Sequence, residues 1–362
     1  MIRVNNIHLS LDYDDKSVRK AVAQQLRIEE KSIKSCKIFR RSVDARKKDN
    51  IYFLTTVDAE LNINEDKVCK KCGNAQIARK YEYNQMKFGN APSPIVVGAG
   101  PAGLFAALIL ARSGANPILI ERGRDVDRRT ADVNRFWTSG KLDITSNVQF
   151  GEGGAGTFSD GKLNSGTKDI RQRKVLEEFV SHGAPDEILY NAKPHIGTDM
   201  LKGTIKNIRN EIIELGGRVM FETKLVSMAF SDNKLKSITV ETANGDEIIE
   251  TDNVILAIGH SARDTFEMLY DLKLPIEAKP FSVGARIEHL RQKVDKAQYG
   301  RFAGNKKLGS ANYKLSTHLD NGRGVYTFCM CPGGKVVNAS SEKNRLCTNG
   351  MSEFARNADN SN

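Results

Sequence analysis

Gly98-x-Gly100-x-x-Gly103 stands between a short apolar run, Ile95-Val96-Val97, and the helical run Leu104–Arg112. Each glycine in that spacing has a physical task. The first permits a tight turn, the second lets backbone approach a diphosphate, and the third lets helix pack on strand. Pro101 and Ala102 fall at the start of the helix, where unpaired N–H groups and a partial positive charge favour an anion. Glu121 follows Gly103 by 18 residues, at the end of the next strand. A carboxylate there accepts hydrogen bonds from ribose hydroxyls and argues against a 2′-phosphate. The pattern predicts adenine-dinucleotide binding; the competing reading is a glycine-rich turn without ligand. Spacing alone does not separate NAD from FAD.

Other candidates follow. Phe150–Leu163 carries Gly151, Gly153, Gly154, Gly156 and Gly161, enough to wrap a loop around a phosphate or ring, or to form a solvated surface loop. His260 directly follows Gly259 and is either an acid/base or a helix cap. His195 has the same two readings, with Thr198 expected to cap a helix beginning at Asp199. Cys329 and Cys331 form Cys-x-Cys, which in a strand would face one way. They are expected to be buried and inert, the alternative being thiol–disulfide exchange. Cys69-x-x-Cys72 is half a zinc site by spacing and lacks a second pair at finger-like distance, so no metal is expected.

These groups need elements to hold them. Ile95–Val97, Leu104–Arg112 and Pro117–Ile120 make one β-α-β unit, with Gly114 ending the helix. Leu201, Ile205, Ile208, Ile212 and Leu215 predict a helix with one buried stripe, stopped at Gly216-Gly217. Strand candidates Arg218–Phe221, Lys224–Phe230, Leu235–Thr242 and Glu247–Glu250 follow, with Asn244-Gly245 as a hairpin turn, then Asn253–Ile258. Upstream, residues 1–88 predict a small α/β, ferredoxin-like module. It has strands at Ile2–Leu9, Ile33–Phe39 and Ile51–Leu61, a helix around Val18–Leu26, and a basic stretch, Arg40–Lys48, between the last two strands. Gly89–Pro94 reads as a linker. The expected domains are 1–88, 93–270 and 274–362. Arg122–Arg135 and Trp137 read as surface and packing residues.

Composition bounds the rest. The 362 residues are 40% hydrophobic and 27% charged, as in globular proteins. The longest apolar run, Leu104–Ala111, is far short of the roughly 20 residues that span a bilayer. The opening segment has no signal-peptide core, so a cytoplasmic protein with free thiols is expected. Net charge is +11, and residues 1–90 hold 19 Lys and Arg against 12 Asp and Glu. That excess reads as a lysine-rich surface, because aromatics are not interleaved with the bases as nucleic-acid binding would want.

The stretch Ile95–Ala107 through Ile120-Glu121-Arg122-Gly123 resembles the FAD fingerprint of the two-dinucleotide-fold flavoproteins. The helix, three-stranded meander and closing strand repeat that family's order. More narrowly, four blocks are similar to a bacterial family of uncharacterised FAD-dependent dehydrogenases: Arg41–Lys48, Gln149–Leu163, Pro194–Asp199 and Phe328–Gly334. The resemblance implies an α/β fold with a Rossmann-like FAD-binding domain and the start of a mixed β-rich substrate domain. It implies noncovalent FAD, hydride transfer to or from a small molecule, and NAD(P)H as a possible transient reductant. The implied FAD contacts are Gly98, Gly100, Pro101, Ala102, Gly103, Glu121, Arg122, Gly153, Gly154, Gly156, Thr157, Asp160, Lys162 and Gly259, with the Leu225-Val226 backbone facing adenine. Asp160 would bond a ribityl hydroxyl. Lys162 would steady an anionic reduced flavin, and His260, Lys162 and Cys331 are the catalytic candidates. The family's C-terminal Gly-Asp element is not evident after Gly259, which predicts a truncated chain. An RNA-modifying flavoenzyme and a non-catalytic nucleotide-binding remnant stay open as alternatives.

Overall fold

The computed structural model describes residues 1–79, 81–89, 92–167 and 169–362. Of the expected linker, Asn90 and Ala91 lie outside the described residues.

The N-terminal module runs β1 (Ile2–Leu9), α1 (Asp15–Leu26), β2 (Ile33–Asp44), β3 (Tyr52–Leu61), α2 (Glu65–Lys71) and β4 (Ala75–Ile77). Its antiparallel sheet has the order β2-β3-β1-β4, the ferredoxin-like arrangement. Alternate residues Ile2, Val4, Phe53 and Val57 bury one face under α1, whose start is fixed by Asp14 accepting from the Ser17 amide at 2.8 Å. The basic stretch expected to be a connector is strand as far as Asp44. As an edge strand, β2 can hold Arg40 and Arg41 half in solvent while pairing with Thr56 and Thr55.

The second unit contains β5 (Ile95–Val97), α3 (Pro101–Arg112), β6 (Ile118–Ile120), α4 (Val126–Ser139), α5 (Gln172–Ser181), α6 (Thr198–Glu214) and β7 (Arg218–Met220). It continues with β8 (Lys224–Ser231), β9 (Lys234–Thr242), β10 (Gly245–Glu250), β11 (Val254–Leu256) and α7 (Arg263–Asp271). The parallel sheet has the order β11-β5-β6-β7, and β8–β10 form the expected antiparallel meander. On one face, Leu104, Leu108 and Ala111 of α3 pack with Ile205, Ile208 and Ile212 of α6; on the other, Ile95 and Ile120 meet the meander's Leu225 and Ile238. Coverage on both faces suits the unbroken apolar runs of the central strands β5 and β6, while Ile255 and Leu256 of the edge strand β11 stay exposed.

The last segment holds β12 (His289–Leu290), α8 (Arg291–Tyr299) and short strands β13 (Ser316–His318) to β17 (Asn360–Ser361), paired two by two. Its packing cuts across the boundary expected at residue 274. Tyr299, Leu308 and Ala311 complete the N-terminal module's core, and Val337, Ala339 and Met351 pack on Val133, Val148 and Phe158. Among the described residues no helix is long and apolar enough to cross a membrane.

Candidate functional site

The C-terminal ends of β5, β6 and β11 open on a cavity of about 580 Å³. This is where parallel α/β sheets hold ligands. Gly98, Gly100, Pro101, Ala102, Glu121, Arg122, Gly154, Gly156, Leu225, Gly259 and His260 all line it.

The three fingerprint glycines divide their work. Gly98 has φ +101°, and a Cβ there would lie 2.5 Å from the carbonyl oxygen of Ala257, the residue after β11. A Cβ on Gly103 would lie 1.8 Å from the Gly98 carbonyl oxygen. The protein's own packing therefore requires both. A Cβ on Gly100 would meet no protein atom closer than the Gly154 Cα at 3.9 Å, so the protein's own packing does not require a glycine there. Gly100 is also the N-cap of α3 and offers no side-chain acceptor, while Pro101 begins the helix. Pro101 has no N–H to give, and Ala102, which lines the cavity, carries a first-turn amide without a helical partner.

Glu121 is buried at this rim. One carboxylate oxygen accepts from the Ala99 amide at 2.8 Å, the other from Gly123 at 2.9 Å and Gly151 at 3.0 Å. A carboxylate offers about four lone-pair sites. Three amides fix its orientation, and the oxygen that accepts from Ala99 keeps one further lone-pair site. Arg122 stacks over the Phe150 ring at 4.7 Å and donates to Asp264 at 3.0 Å and to Thr265 at 2.8 Å. Burial alone would raise the Asp264 carboxyl; hydrogen bonds from Lys224 and Arg122 overcome it and hold it at about 2.

The glycine-rich loop forms the opposite wall. Gly153 donates to the Ala99 carbonyl at 2.8 Å, tying loop to fingerprint, and Gly151, Gly154, Ala155 and Gly156 face the cavity. Its anchor is Arg129, a residue whose type and basic neighbours point to the surface. Arg129 is instead 0% exposed and donates to the carbonyls of Asn147, Val148, Gly151, Glu152 and Gly154 at 2.6–3.3 Å. Burial lowers its pKa to about 10, so it stays charged at neutral pH. Glu152, also fully buried, accepts from the Val126 amide at 2.7 Å and Arg209 at 3.0 Å, and burial raises its pKa. One signal in the sequence exposes Arg129: it steps with Val126, Val133 and Phe136 along the buried stripe of α4.

Several sequence candidates lie away from this cavity. Gly103 serves helix packing, and Gly153 and Thr157 pack behind the loop. A β-bulge between Leu225 and Ser227 leaves Val226 off the cavity wall. Asp160 is not placed to meet a ribityl chain: it is buried against Arg356 at 2.5 and 2.8 Å, Lys162 at 2.8 Å and the Ser352 hydroxyl. Burial would raise its pKa, but the Arg356 ion pair holds it below the usual carboxylate range. Lys162 thus serves Asp160 and sits 3.6 Å from the Cys331 sulfur and 3.8 Å from Cys329. The cysteines are not in a strand, since Cys329 has φ +53° in a bend. The neighbouring Cys331 thiol as hydrogen-bond donor, helped by Lys162 and Arg286, holds the Cys329 thiol below its ordinary value against the effect of burial. The same pairing and burial push Cys331 up. Thr198 is not the cap of α6. Gly197 is, at φ +81°, while Thr198 is the first helical residue and donates to the Thr157 carbonyl at 2.6 Å. His195 stacks on Phe354 and bonds its carbonyl at 2.9 Å. His260 is exposed at the cavity mouth. Among the described residues no three His, Cys, Asp or Glu side chains gather to hold a metal.

With this geometry in place, likeness to other proteins can be added. Residues 93–132, which build the turn, helix and Glu121, match a family described as "FAD binding domain". Residues 280–362 match "FAD-dependent protein, C-terminal domain-like", and residues 1–60 match a domain of unknown function (DUF8436). An uncharacterized protein of Clostridium beijerinckii is 47% identical over 367 residues, covering 100% of this chain and 68% of that protein. The chain belongs to the same family of FAD-dependent proteins. Among solved structures, it is similar to the anhydrotetracycline hydroxylase OxyS of Streptomyces rimosus (15% identity, 49% of this chain, 33% of that one, TM-score 0.33). It is also similar to THI4 of Thermovibrio ammonificans (16%, 51% and 64%, TM-score 0.32). In this FAD-dependent family member, the segment matched to FAD binding holds Gly100 and the start of α3 on the cavity wall.

Proposed function

We propose that the protein holds FAD noncovalently and works as an oxidoreductase, a dehydrogenase or reductase acting on a small molecule. The observation that carries the reading is Gly100: no protein atom lies closer than 3.9 Å to a Cβ placed there, and it stands at the start of α3 on the cavity wall with Ala102 beside it. The residues present fit the group. The amides at the start of α3 would take the diphosphate, Glu121 the adenosine ribose, and Leu225 the adenine face. Gly154 to Gly156 and Gly259 would border the ring end. Bound FAD supplies two-electron hydride chemistry, which the protein positions and tunes. Arg122, fixed by Asp264 and stacked on Phe150, forms part of the cavity wall. His260 is within the same wall and would hold or release a proton at the substrate end. Gly151-x-Gly153-x-x-Gly156 repeats the fingerprint spacing but follows no strand, so with one fingerprint set between strand and helix, NAD(P)H would act as a transient reductant. Anaerobic bleaching of the flavin band by NADH or NADPH tests that part.

The test of the whole is reconstitution. The wild-type chain incubated with FAD and passed through gel filtration should emerge yellow. Gly100→Val should emerge folded and colourless, because its side chain fills the diphosphate space. A variant as yellow as the parent would place the phosphates elsewhere.

A further inference from the structure

A second cavity, of about 450 Å³, lies where all three segments of the chain meet. The sequence blocks left unused by the FAD site converge on it: Arg41 from the N-terminal module, Lys193 and His195 from the Pro194–Asp199 region, and Lys306, Lys307 and Arg356 from the C-terminal segment. Its volume falls in the usual range for small-molecule sites.

The charge of this cavity is one-sided. Arg41 donates to Asn191 at 2.9 and 3.1 Å and to the Tyr13 hydroxyl at 2.9 Å, and lies over the rings of Phe53 and Tyr190. Lys193 reaches only an amide oxygen, that of Asn312, at 2.5 Å. Among the described residues, none of Arg41, Lys193, Lys306 or Lys307 forms an ion pair with a carboxylate. Arg356 is already committed to Asp160. The one carboxylate in the wall is Glu187, which accepts from Asn191 at 3.3 Å. Burial, with Arg356 adding to it, lowers the pKa of both Lys193 and His195, while at His195 the Phe354 carbonyl and the Asp160 carboxylate oppose the shift. The Arg41 guanidinium is held against two rings with its Nε and Nη2 on Asn191 and its Nη1 on Tyr13, which leaves one N–H on each of Nη1 and Nη2 for carboxylate or phosphate oxygens.

We propose that this cavity is a binding site for a small polyanion, a molecule bearing two or more carboxylate or phosphate groups, gripped by Arg41, Lys193, Lys306 and Lys307. The site is separate from the FAD cavity and stands whether or not the flavin reading holds. Its position between three segments means that a bound anion would also clamp the N-terminal module to the Lys193 loop and the C-terminal segment.

The test is calorimetric titration of the FAD-incubated full chain at low ionic strength with citrate and, separately, inorganic pyrophosphate. At least one should bind saturably, and the tighter of the two says whether carboxylates or phosphates are preferred. The triple variant Lys193→Gln/Lys306→Gln/Lys307→Gln changes exposed side chains and should keep its melting temperature and flavin content. It should bind the preferred probe at least about tenfold more weakly, the effect of losing roughly one charge-assisted hydrogen bond. The double variant Lys306→Gln/Lys307→Gln should fall between. Equal affinity in wild type and triple variant, or no saturable heat from either probe at millimolar concentration, overturns the proposal.

Discussion

The two cavities are built by different means. The first is made of backbone: a turn, a helix start and a glycine-rich loop, with Glu121 locked by three amides. The second is made of side chains, brought together from residues 41, 193, 306, 307 and 356 by the packing of three segments. A backbone site presents fixed dipoles at positions set by local chain geometry. It tolerates side-chain change poorly where Cβ atoms have no room, and well elsewhere. A side-chain site depends on tertiary assembly, and its grip is spread over several flexible cations.

That contrast orders the expected effects. The largest falls on the backbone site's own scaffold. Gly103→Val drives a side chain into the Gly98 carbonyl, where even a Cβ would lie 1.8 Å away. Overpacking costs about 1–3 kcal/mol and occasionally more, and here the obstruction is backbone, so the upper end applies. Chemical denaturation should show it, and unchanged stability would mean that the helix sits farther from the turn. Next comes Arg129→Met, which strips five buried carbonyls of their donor. It should cost about 1–3 kcal/mol and release the glycine-rich loop to proteolysis. A loss under about 1 kcal/mol would show that the loop holds its own shape.

Glu121→Gln keeps the shape but removes the charge. It should weaken FAD binding by about 1–3 kcal/mol, measured by flavin fluorescence titration. An unchanged dissociation constant would leave Glu121 with a purely structural task. The smallest effect belongs to neither cavity but to the side-chain cluster around Asp160, where Lys162 meets Cys329 and Cys331. Cys329 should alkylate faster than an ordinary thiol at pH 6–7, and Lys162→Met should slow it, since Lys162 helps hold the thiolate. Mass mapping after brief iodoacetamide treatment reads this, and equal labelling rates would contradict the Lys162 contact.

The same contrast explains how much is legible in the sequence. Glycine spacing reports backbone geometry directly, so the residues alone reveal the turn, α3, β6 and the glycine-rich loop. The meander and α6 are equally open, because period-2 and 3.6 patterns and the Asn244-Gly245 turn are local signals. The buried face of Arg129 is harder, because arginine is rarely buried and only its place on the α4 stripe betrays it. The Asp160–Arg356 pair is separated by 196 residues, and no local pattern couples them. Strand β2 hides its last residues for another reason: at a sheet edge, Arg40 to Val43 are half-exposed or exposed and read as a polar loop. The packing of Tyr299, Leu308 and Ala311 on the N-terminal module is likewise a long-range choice between two apolar surfaces.

The measurement that bears most directly on the central claim is a crystal structure of the chain grown with FAD. The account predicts a diphosphate lying over Gly100, within hydrogen-bond reach of the α3 amides, and a ribose hydroxyl against Glu121. Density for the diphosphate anywhere else, or side chains filling the space above Gly100, would contradict it.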